Sequence, residues 1–460
     1  MASDLRGFLE EHRDALTRLT KEVALENVAA LIAQSRTTIL FENLRSYPGW
    51  RLVDLLFNNR AAQARVLGCD PAEVLQRLEA VLSHGPRKFR VVEDGPVKEV
   101  KLFGEEVDLR KLPVVTHTSR DPGPYITCFN VVRDPESGLC NSNNPRALVI
   151  DRNRTLVSFV TRHVQSIFAK YSRAGQRMPQ AICIGTHPAL ELAAAYSGLH
   201  DEFWDLEYAG TIADRTFDLV RCETIDLMVP AEAEIIIEGF VNPNKVRIDG
   251  PSPGPATYYV PRTAPAPEFE VTAVTMRRNP VYRNHLVAPF TDHQPLPRLF
   301  HEAQIGRTLR AMGIDVREVV FPPWGGALSC LIQVAPTMDG QVNDALLAVM
   351  GAPWLNTKLV VAVDPDINVH DPAEVYFALA TRVDPAKHVI IVPSTRGNPM
   401  DPSASPVAEA GEAAIQTRFP SVVGKMGIDA TKPVPYRSNR SDFDRGWPPN
   451  WGKVNLKDYL

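Results

Sequence analysis

The periodicity of apolar residues changes twice along this chain, and that switch restricts the fold more than any single motif. Residues 4 to 34 carry Leu5, Phe8, Leu9, Leu16 and Leu19 near helical spacing among charged neighbours, which predicts helices. A strand is expected at Arg36–Leu40 and helices at Leu52–Phe57 and Pro71–Leu82. The last has Asp70 as its cap and Pro71 at its first position. From Tyr125 the pattern becomes short β-branched runs between turns, at 125–132, 148–150, 156–160, 181–184, 217–229 and 234–241, with one helix at 164–174. Strands at that spacing predict a barrel or sandwich core. After Pro297 helix and strand alternate again: helices at 298–312, 341–350 and 372–381, strands at 316–321, 327–334, 358–363 and 388–392. That alternation predicts a mostly parallel sheet. The fold class is α/β and β. An N-terminal α/β domain is expected at 1–115, a central β domain at 116–300 and a C-terminal α/β domain at 301–440. A tail at 441–460 follows, whose Trp447 and Trp451 are expected to dock on something.

Length and composition agree with this plan. A chain of 460 residues has room for about three domains, each with its own core. Its 50 basic and 54 acidic residues give a net charge of −4, without the basic stripe a nucleic-acid binder shows. Its 39 prolines fall between continuing aliphatic runs, so they read as fixed turns. The six cysteines (Cys69, Cys128, Cys140, Cys183, Cys222, Cys330) form no CxxC pair, so no structural zinc is indicated. The acidic Met1-Ala-Ser-Asp start has no apolar h-region, and no apolar run approaches the ~20 residues that cross a bilayer. A cytoplasmic protein without a membrane partner is expected.

The chemistry is expected around Asn141-Ser-Asn-Asn-Pro-Arg146 and the hairpin after it. Asn143, Asn144 and Pro145 form a turn, Arg146 follows, and two strands flank the polar Asp151-Arg-Asn-Arg-Thr155. An amide, a guanidinium and, at the far end of the second strand, the imidazole of His163 can converge on one anionic ligand. The competing reading is a solvated surface hairpin. Glu207 adds a carboxylate, and Asn141, His163 and Glu207 form a mixed oxygen and nitrogen set that suits Mn²⁺ or Mg²⁺. Glu234 and Glu238 share one face of a strand, Asp249-Gly-Pro-Ser-Pro-Gly254 is a tight turn holding an acid, and Asp364 and Asp366 are read as caps. No GxGxxG, P-loop, GxSxG or HExxH occurs.

Taken in order, Gly123-Pro-Tyr-Ile-Thr127, Asn141-x4-Arg146, His163, Glu207-Tyr-Ala-Gly210, Cys222-Glu-Thr-Ile-Asp-Leu-Met-Val-Pro230, Glu234-Ile-Ile-Ile-Glu-Gly239 and Lys358 to Val369 through Ala380 to Pro385 resemble the UbiD-type decarboxylases. That family includes the polyprenyl-hydroxybenzoate carboxy-lyases and the fungal ferulate decarboxylases. The resemblance implies a central split barrel holding prenylated FMN, with the phosphate bridged by a divalent metal (Mn²⁺ or Mg²⁺) and K⁺. It implies Asn141, His163 and Glu207 as metal ligands and Arg146 at the cofactor's reacting edge. Thr127, Asn143, Asn144, Pro145 and Arg162 would line the cofactor. It further implies a non-oxidative decarboxylase acting on an aromatic, heteroaromatic or α,β-unsaturated acid, a prenyl-flavin synthase as cofactor source, and a homodimer or higher homo-oligomer.

Two departures stand out. The family's Glu-Gly-Pro-x-Gly-Glu turn has become Asp249 to Gly254, keeping the first acid one methylene shorter and losing the second, the family's proton donor. A lysine common before the Lys358 strand is replaced near Gly351. Arg146 is expected to be held by Asp249 through a charge-assisted bond. The proton that replaces CO₂ is left to Asp249, Tyr258, His187 or water. A pocket widened by glycine predicts a bulkier or anionic acid as substrate. The other readings are a different reaction on the same cofactor and a non-catalytic assembly subunit.

Overall fold

The computed structural model describes the chain except for residues 1, 160, 197–201, 255, 261–263, 353–356, 399–400, 407–420 and 460, and it describes backbone alone at 162, 260, 264, 405–406, 421 and 457. The N-terminal sheet runs Thr17–Leu19, Ile39–Phe41, Arg51–Asp54, Val281–Arg283. Arg51–Asp54 is therefore a strand where a helix was expected at Leu52–Phe57. It is paired on both sides, so its burial is continuous, and such a short apolar run looks the same in a buried strand as in a helix. The helices expected over 4–34 are present as Leu5–Glu11 and Leu25–Gln34, but Leu16 and Leu19 lie outside them, because Thr17–Leu19 is a strand paired with Ile39–Phe41; the helix expected from Pro71 follows a 3₁₀ turn as Val74–His84.

Among the described residues the central sheet has nine strands. Its main path runs Tyr125–Ile126, Arg146–Asp151, Arg154–Ser158, Ala264–Met276, Ile235–Asp249, Met178–Ile184, Phe129–Arg133, Cys140–Asn143. Two connections dictate its shape. Cys140–Asn143 lies at one edge and Arg146–Asp151 one place in from the other, yet only Asn144 and Pro145 join them. Thr127 and Cys128 likewise join Tyr125–Ile126 to Phe129–Arg133. Consecutive Cα atoms are only about 3.8 Å apart, so the sheet has to curl until its two edges face each other across a seam. Thr127 and the Asn143–Arg146 segment sit on that seam.

Other elements follow from specific side chains. Phe217–Val229 was expected as one strand but forms the antiparallel pair Asp218–Arg221 and Met228–Pro230. The reason is Glu238, 1% exposed, whose carboxylate accepts from Glu223 N (2.9 Å), Thr224 N (2.5 Å) and Thr224 Oγ1 (2.8 Å) and pins the intervening loop. Glu234 binds Arg6 through two 2.7 Å bonds and accepts from Val281 N at 3.0 Å. Neither glutamate is a polar strand edge, because both are structural anchors. His163 lies in the helix Arg162–Arg173, not at the end of a strand.

In the C-terminal part the sheet order is Val316–Val320, Ser329–Val334, Leu359–Val363, Ser421–Ala430, Val389–Gly397. Its pairings are parallel at the centre and antiparallel at both ends. Ser421–Ala430 escapes sequence reading because Gly424, Lys425 and Gly427 break its apolar run. A Cβ at Gly427 would lie 3.0 Å from Met350 Cε, so glycine there lets the Gln341–Gly351 helix sit close. Asp364 and Asp366 pair with cations: Arg440 at 3.0 Å for the first, Arg382 at 2.8 Å and Lys432 at 3.0 Å for the second. Trp447 and Trp451 stack on each other, centroids 4.5 Å apart, and stay 51% and 61% exposed. The six cysteines are unpaired. Among the described residues no helix is long and apolar enough to cross a membrane.

Candidate active site

Two groups of side chains meet the seam. The first gathers on the Cys140–Asn143 strand. Trp204 Nε1 donates to Ser142 Oγ at 2.9 Å, and Asn141 Nδ2 donates to Asp205 Oδ2 at 2.8 Å. These bonds bring Asn141 beside the Asp205–Glu207 turn, and they orient its amide so that Oδ1 points away from Asp205. Glu207 is 7% exposed, and its carboxylate lies 3.0 Å from Nζ of the exposed Lys88. The Arg162–Arg173 helix packs on the same strand and carries His163 as its second residue. The first-turn N–H groups of such a helix have no partner within the helix and favour an anion. Arg162 opens the helix, and its side chain lies outside the described residues.

These residues fit the cation and phosphate expected of them. An amide oxygen, an imidazole and a buried carboxylate suit a hard to borderline divalent ion. Among the described residues Asn143 Oδ1 and Asn144 Oδ1, both buried, have no hydrogen-bond partner, and such atoms normally find one, so they are available to a ligand bound in the seam. Pro145 is buried between them and Arg146. Thr127 is turned elsewhere, because its Oγ1 accepts from His285 N at 3.3 Å.

The second group surrounds Asp249, the last residue of the Ile235–Asp249 strand and 6% exposed. The expected bond between Arg146 and Asp249 is replaced by an indirect link. Asp249 Oδ1 accepts from Tyr125 Oη at 2.6 Å, and Oδ2 accepts from Ser158 Oγ at 3.1 Å. Arg146 Nη1 donates to Pro253 O at 3.2 Å, with its guanidinium 4.9 Å from the centre of the Tyr125 ring. Tyr125 thus stands between the acid and the arginine. Its phenol is pushed far above the usual value, by burial first and then by Asp249, so it stays protonated and donates.

Sequence reasoning missed the histidines on the far side. Among the described residues, Nε2 of His117, His285 and His293 is buried and has no hydrogen-bond partner, while the rings face Asn284, Asp292 and Gly254 respectively. His293 reaches the backbone of Gly254, and its pKa is lowered to about 3 by burial and by the fields of Arg298 and Arg146. His117 falls to about 3 through burial and Arg146. One signal existed, since His285, His293 and His301 recur every eight residues. The proton-donor candidates fare differently. Tyr258 is 66% exposed. His187 caps a helix, its Nδ1 accepting from Ala189 N at 3.1 Å, and packs against Phe8 and Phe217.

Comparison with known proteins points one way. Residues 90–289 match the model of the 3-octaprenyl-4-hydroxybenzoate carboxy-lyase Rift-related domain, and 296–430 match that of the C-terminal domain. The chain is 32% identical to an anhydromevalonate phosphate decarboxylase of Methanothermobacter thermautotrophicus, over 94% of this chain and 97% of that one. The UbiD-class enzyme HmfF from Pelotomaculum thermopropionicum, solved in complex with FMN, is 35% identical, with 99% of this chain and 100% of that chain covered and a TM-score of 0.88. An evolved dimeric form of HmfF in complex with prFMN is 33% identical, with both chains covered in full and a TM-score of 0.85.

Proposed function

The chain belongs to the UbiD family and is a carboxy-lyase; we propose that it decarboxylates an aromatic, heteroaromatic or α,β-unsaturated acid with prenylated FMN bound in the seam. One observation carries this reading: a two-residue link, Asn144-Pro145, joins the Asn141 side of the seam to Arg146, so the residues that would hold phosphate and cation adjoin the Arg146, Tyr125 and Asp249 set. Asn141, His163 and Glu207 would hold Mn²⁺ (or Mg²⁺), with K⁺ beside it, and the Arg162–Arg173 helix would face the phosphate. Asn143, Asn144, Pro145, Arg162 and Thr127 would line the flavin, Thr127 through its backbone. When bound, the modified flavin supplies the electron sink that loss of CO₂ from an sp² carbon requires.

The chain's own residues do the rest. Arg146 is fixed at Pro253 O and against the Tyr125 ring, which leaves further N–H groups to grip the substrate carboxylate. Asp249, fed by two hydroxyl donors, moves the proton that replaces CO₂. Tyr125 and Ser158 fix the orientation of its carboxylate, with the Tyr125 ring between it and Arg146. Purified protein made together with a prenyl-flavin synthase is the material for the test. In that preparation Asp249→Asn is expected to lower CO₂ release and deuterium uptake from D₂O by roughly 10²–10⁴-fold. Full turnover in the variant would remove Asp249 from this role. A preparation that binds neither flavin nor metal would end the proposal. A homodimer or higher homo-oligomer is part of the same reading, to be checked by light scattering.

A further inference from the structure

Asp249 has one hydroxyl on each carboxylate oxygen, and the two hydroxyls are not equivalent. Tyr125 Oη donates to Oδ1 at 2.6 Å, within the range of a charge-assisted bond between a hydroxyl and a carboxylate. Ser158 Oγ donates to Oδ2 at 3.1 Å, beyond that range. Tyr125 is 0% exposed and packs with Leu148, Leu156 and Ala266 in an apolar cluster. Burial and the charge of Asp249 keep its phenol protonated. Oδ1 therefore stays an acceptor, on the side of the carboxylate that apolar groups close.

Ser158 is half-buried at the end of the Arg154–Ser158 strand. It is the direct cross-strand partner of Arg146, which puts both side chains on one face with Cβ atoms about 4.5–5.5 Å apart. Tyr125 pairs with Leu148, two residues from Arg146, and so shares that face. Each decarboxylation takes one proton from solvent, because the electron pair of the broken C–C bond takes up H⁺ where CO₂ has left. Asp249, 6% exposed, has to be recharged after every delivery. A protonated carboxyl carries its hydrogen on one oxygen, which then donates and needs an acceptor. Tyr125 cannot serve, since its own O–H occupies Oδ1. A serine hydroxyl turns about a single bond and both accepts and donates, and turning it breaks only the weaker of the two contacts.

We infer that Ser158 is the proton relay that recharges Asp249: Oδ2 is the oxygen that carries the proton, Tyr125 holds Oδ1 as an acceptor, and Ser158 Oγ takes a proton from water in the pocket while passing its own to Oδ2. One O–H bond forms at Oγ as another breaks there, and a third forms at Oδ2, so a single solvent proton is consumed and the serine is unchanged. The inference rests on the assignment of Asp249 as the group that moves the proton. Ser158 acts through Asp249.

The flavin-free protein tests the placement of the proton. Infrared difference spectra across an acid titration show the C=O stretch of protonated Asp249, identified by its loss in Asp249→Asn. With Oδ1 as the carbonyl oxygen, Tyr125→Phe is expected to move that band to higher frequency and Ser158→Ala to move it much less. Shifts of equal size, or in the reverse order, overturn the inference. The holoenzyme tests the recharging, with whichever of cinnamate, 2-furoate and 4-hydroxybenzoate the unaltered enzyme turns over fastest; if it turns over none of them, the infrared result decides alone. Ser158→Ala, first equilibrated at low pH so that Asp249 starts protonated, is expected to give a rapid-quench burst of about one product per site. A steady rate lower by roughly tenfold or more should follow, part of what a positioned acid contributes. KM should be unchanged, and Ser158→Thr should restore the rate. A first turnover slowed as much as the later ones would show a structural role, and an unchanged steady rate would show no relay; either overturns the inference. Full turnover in Asp249→Asn removes the assignment of Asp249 itself, whereas a slow Asp249→Asn beside an unaffected Ser158→Ala removes the relay alone.

Discussion

Arg283 and Arg298 are two arginines 2% and 1% exposed, and their surroundings are opposite. Arg283 meets Glu191 at 2.9 Å, Asp292 at 2.6 Å and Asp54 at 3.2 Å. Those acids are themselves bound: Asp54 by Asn284 Nδ2 (2.7 Å) and Leu286 N (3.0 Å), Asp292 by Leu56 N (2.7 Å) and Phe57 N (2.8 Å). The cluster ties the N-terminal sheet to the segment after Val281, with its polar groups largely satisfied from inside. Among the described residues no carboxylate pairs with Arg298, whose Nη1 donates to the carbonyls of Gln294 and His293. His285 bridges the two regions, its Nδ1 3.5 Å from Glu191. Burial and residue type are alike, so the difference lies in whether the protein itself supplies the partners. The network that the protein satisfies from inside holds the fold.

The largest expected effect tests the satisfied side. Arg283→Met leaves three buried carboxylates facing one another and should cost about 3–5 kcal/mol, the range for breaking a buried ion network by removing one partner. A shift of the urea midpoint corresponding to that loss, or failure to fold, is expected. A loss below about 1 kcal/mol would break the contrast, since Arg283 would then be as dispensable as a surface charge.

Next in size are two opposed pH dependences. Burial, joined by Asp292, outweighs the opposing field of Arg283 and raises Asp54 from 3.8 to about 7. The native state binds that proton more tightly than the unfolded chain, so this contribution is complete below about pH 4 and is lost as pH rises through 7. Burial, Arg298 and Arg146 lower His293 from 6.5 to about 3. Here the unfolded chain takes up a proton that the native state refuses, so the contribution is complete above 6.5 and is lost as pH falls toward 3. Between pH 7 and 4 the two regions therefore pull stability in opposite directions. Asp54→Asn should steepen the fall of the urea midpoint toward acid, and His293→Gln should flatten it. Slopes that change in the same sense in both variants would remove the distinction.

The sequence revealed these regions to different depths. The runs that carry Asn141, His163 and Glu207 were legible as family motifs, because each has its own local pattern and the runs keep a family order. The hairpin of Arg146–Asp151 and Arg154–Ser158 was legible from alternation around a polar turn. The seam was not, because it depends on which strands become sheet edges, and no local pattern encodes that. Arg283, Arg298 and the histidines were equally hidden. Each is a single residue in a proline-dense stretch, and its meaning comes from residues such as Asp54 or Gly254 far away in sequence. Asp249 was singled out from its turn, but its partner was misjudged. The acid was paired with the expected arginine when the geometry inserts Tyr125, whose phenol satisfies the carboxylate at 2.6 Å.

The smallest expected effect concerns Lys88, which returns the comparison to the cradle side of the seam. Its ammonium contacts both Glu207 oxygens, at 3.1 and 3.0 Å, yet its side chain is 79% exposed. An exposed lysine on a nearly buried carboxylate contributes no more than about 1 kcal/mol, so Lys88→Ala should leave the urea midpoint almost unchanged. The same substitution removes a competitor for the carboxylate. If Asn141, His163 and Glu207 hold a divalent ion, Mn²⁺ affinity in the flavin-free protein should rise, by at most about fivefold, because 1 kcal/mol corresponds to that factor. Titration with Mn²⁺ followed by its electron paramagnetic resonance signal reads this directly. Weaker Mn²⁺ binding in Lys88→Ala would mean that the lysine positions Glu207 and does not compete for it, which would place the cradle with Arg283 among the internally satisfied networks.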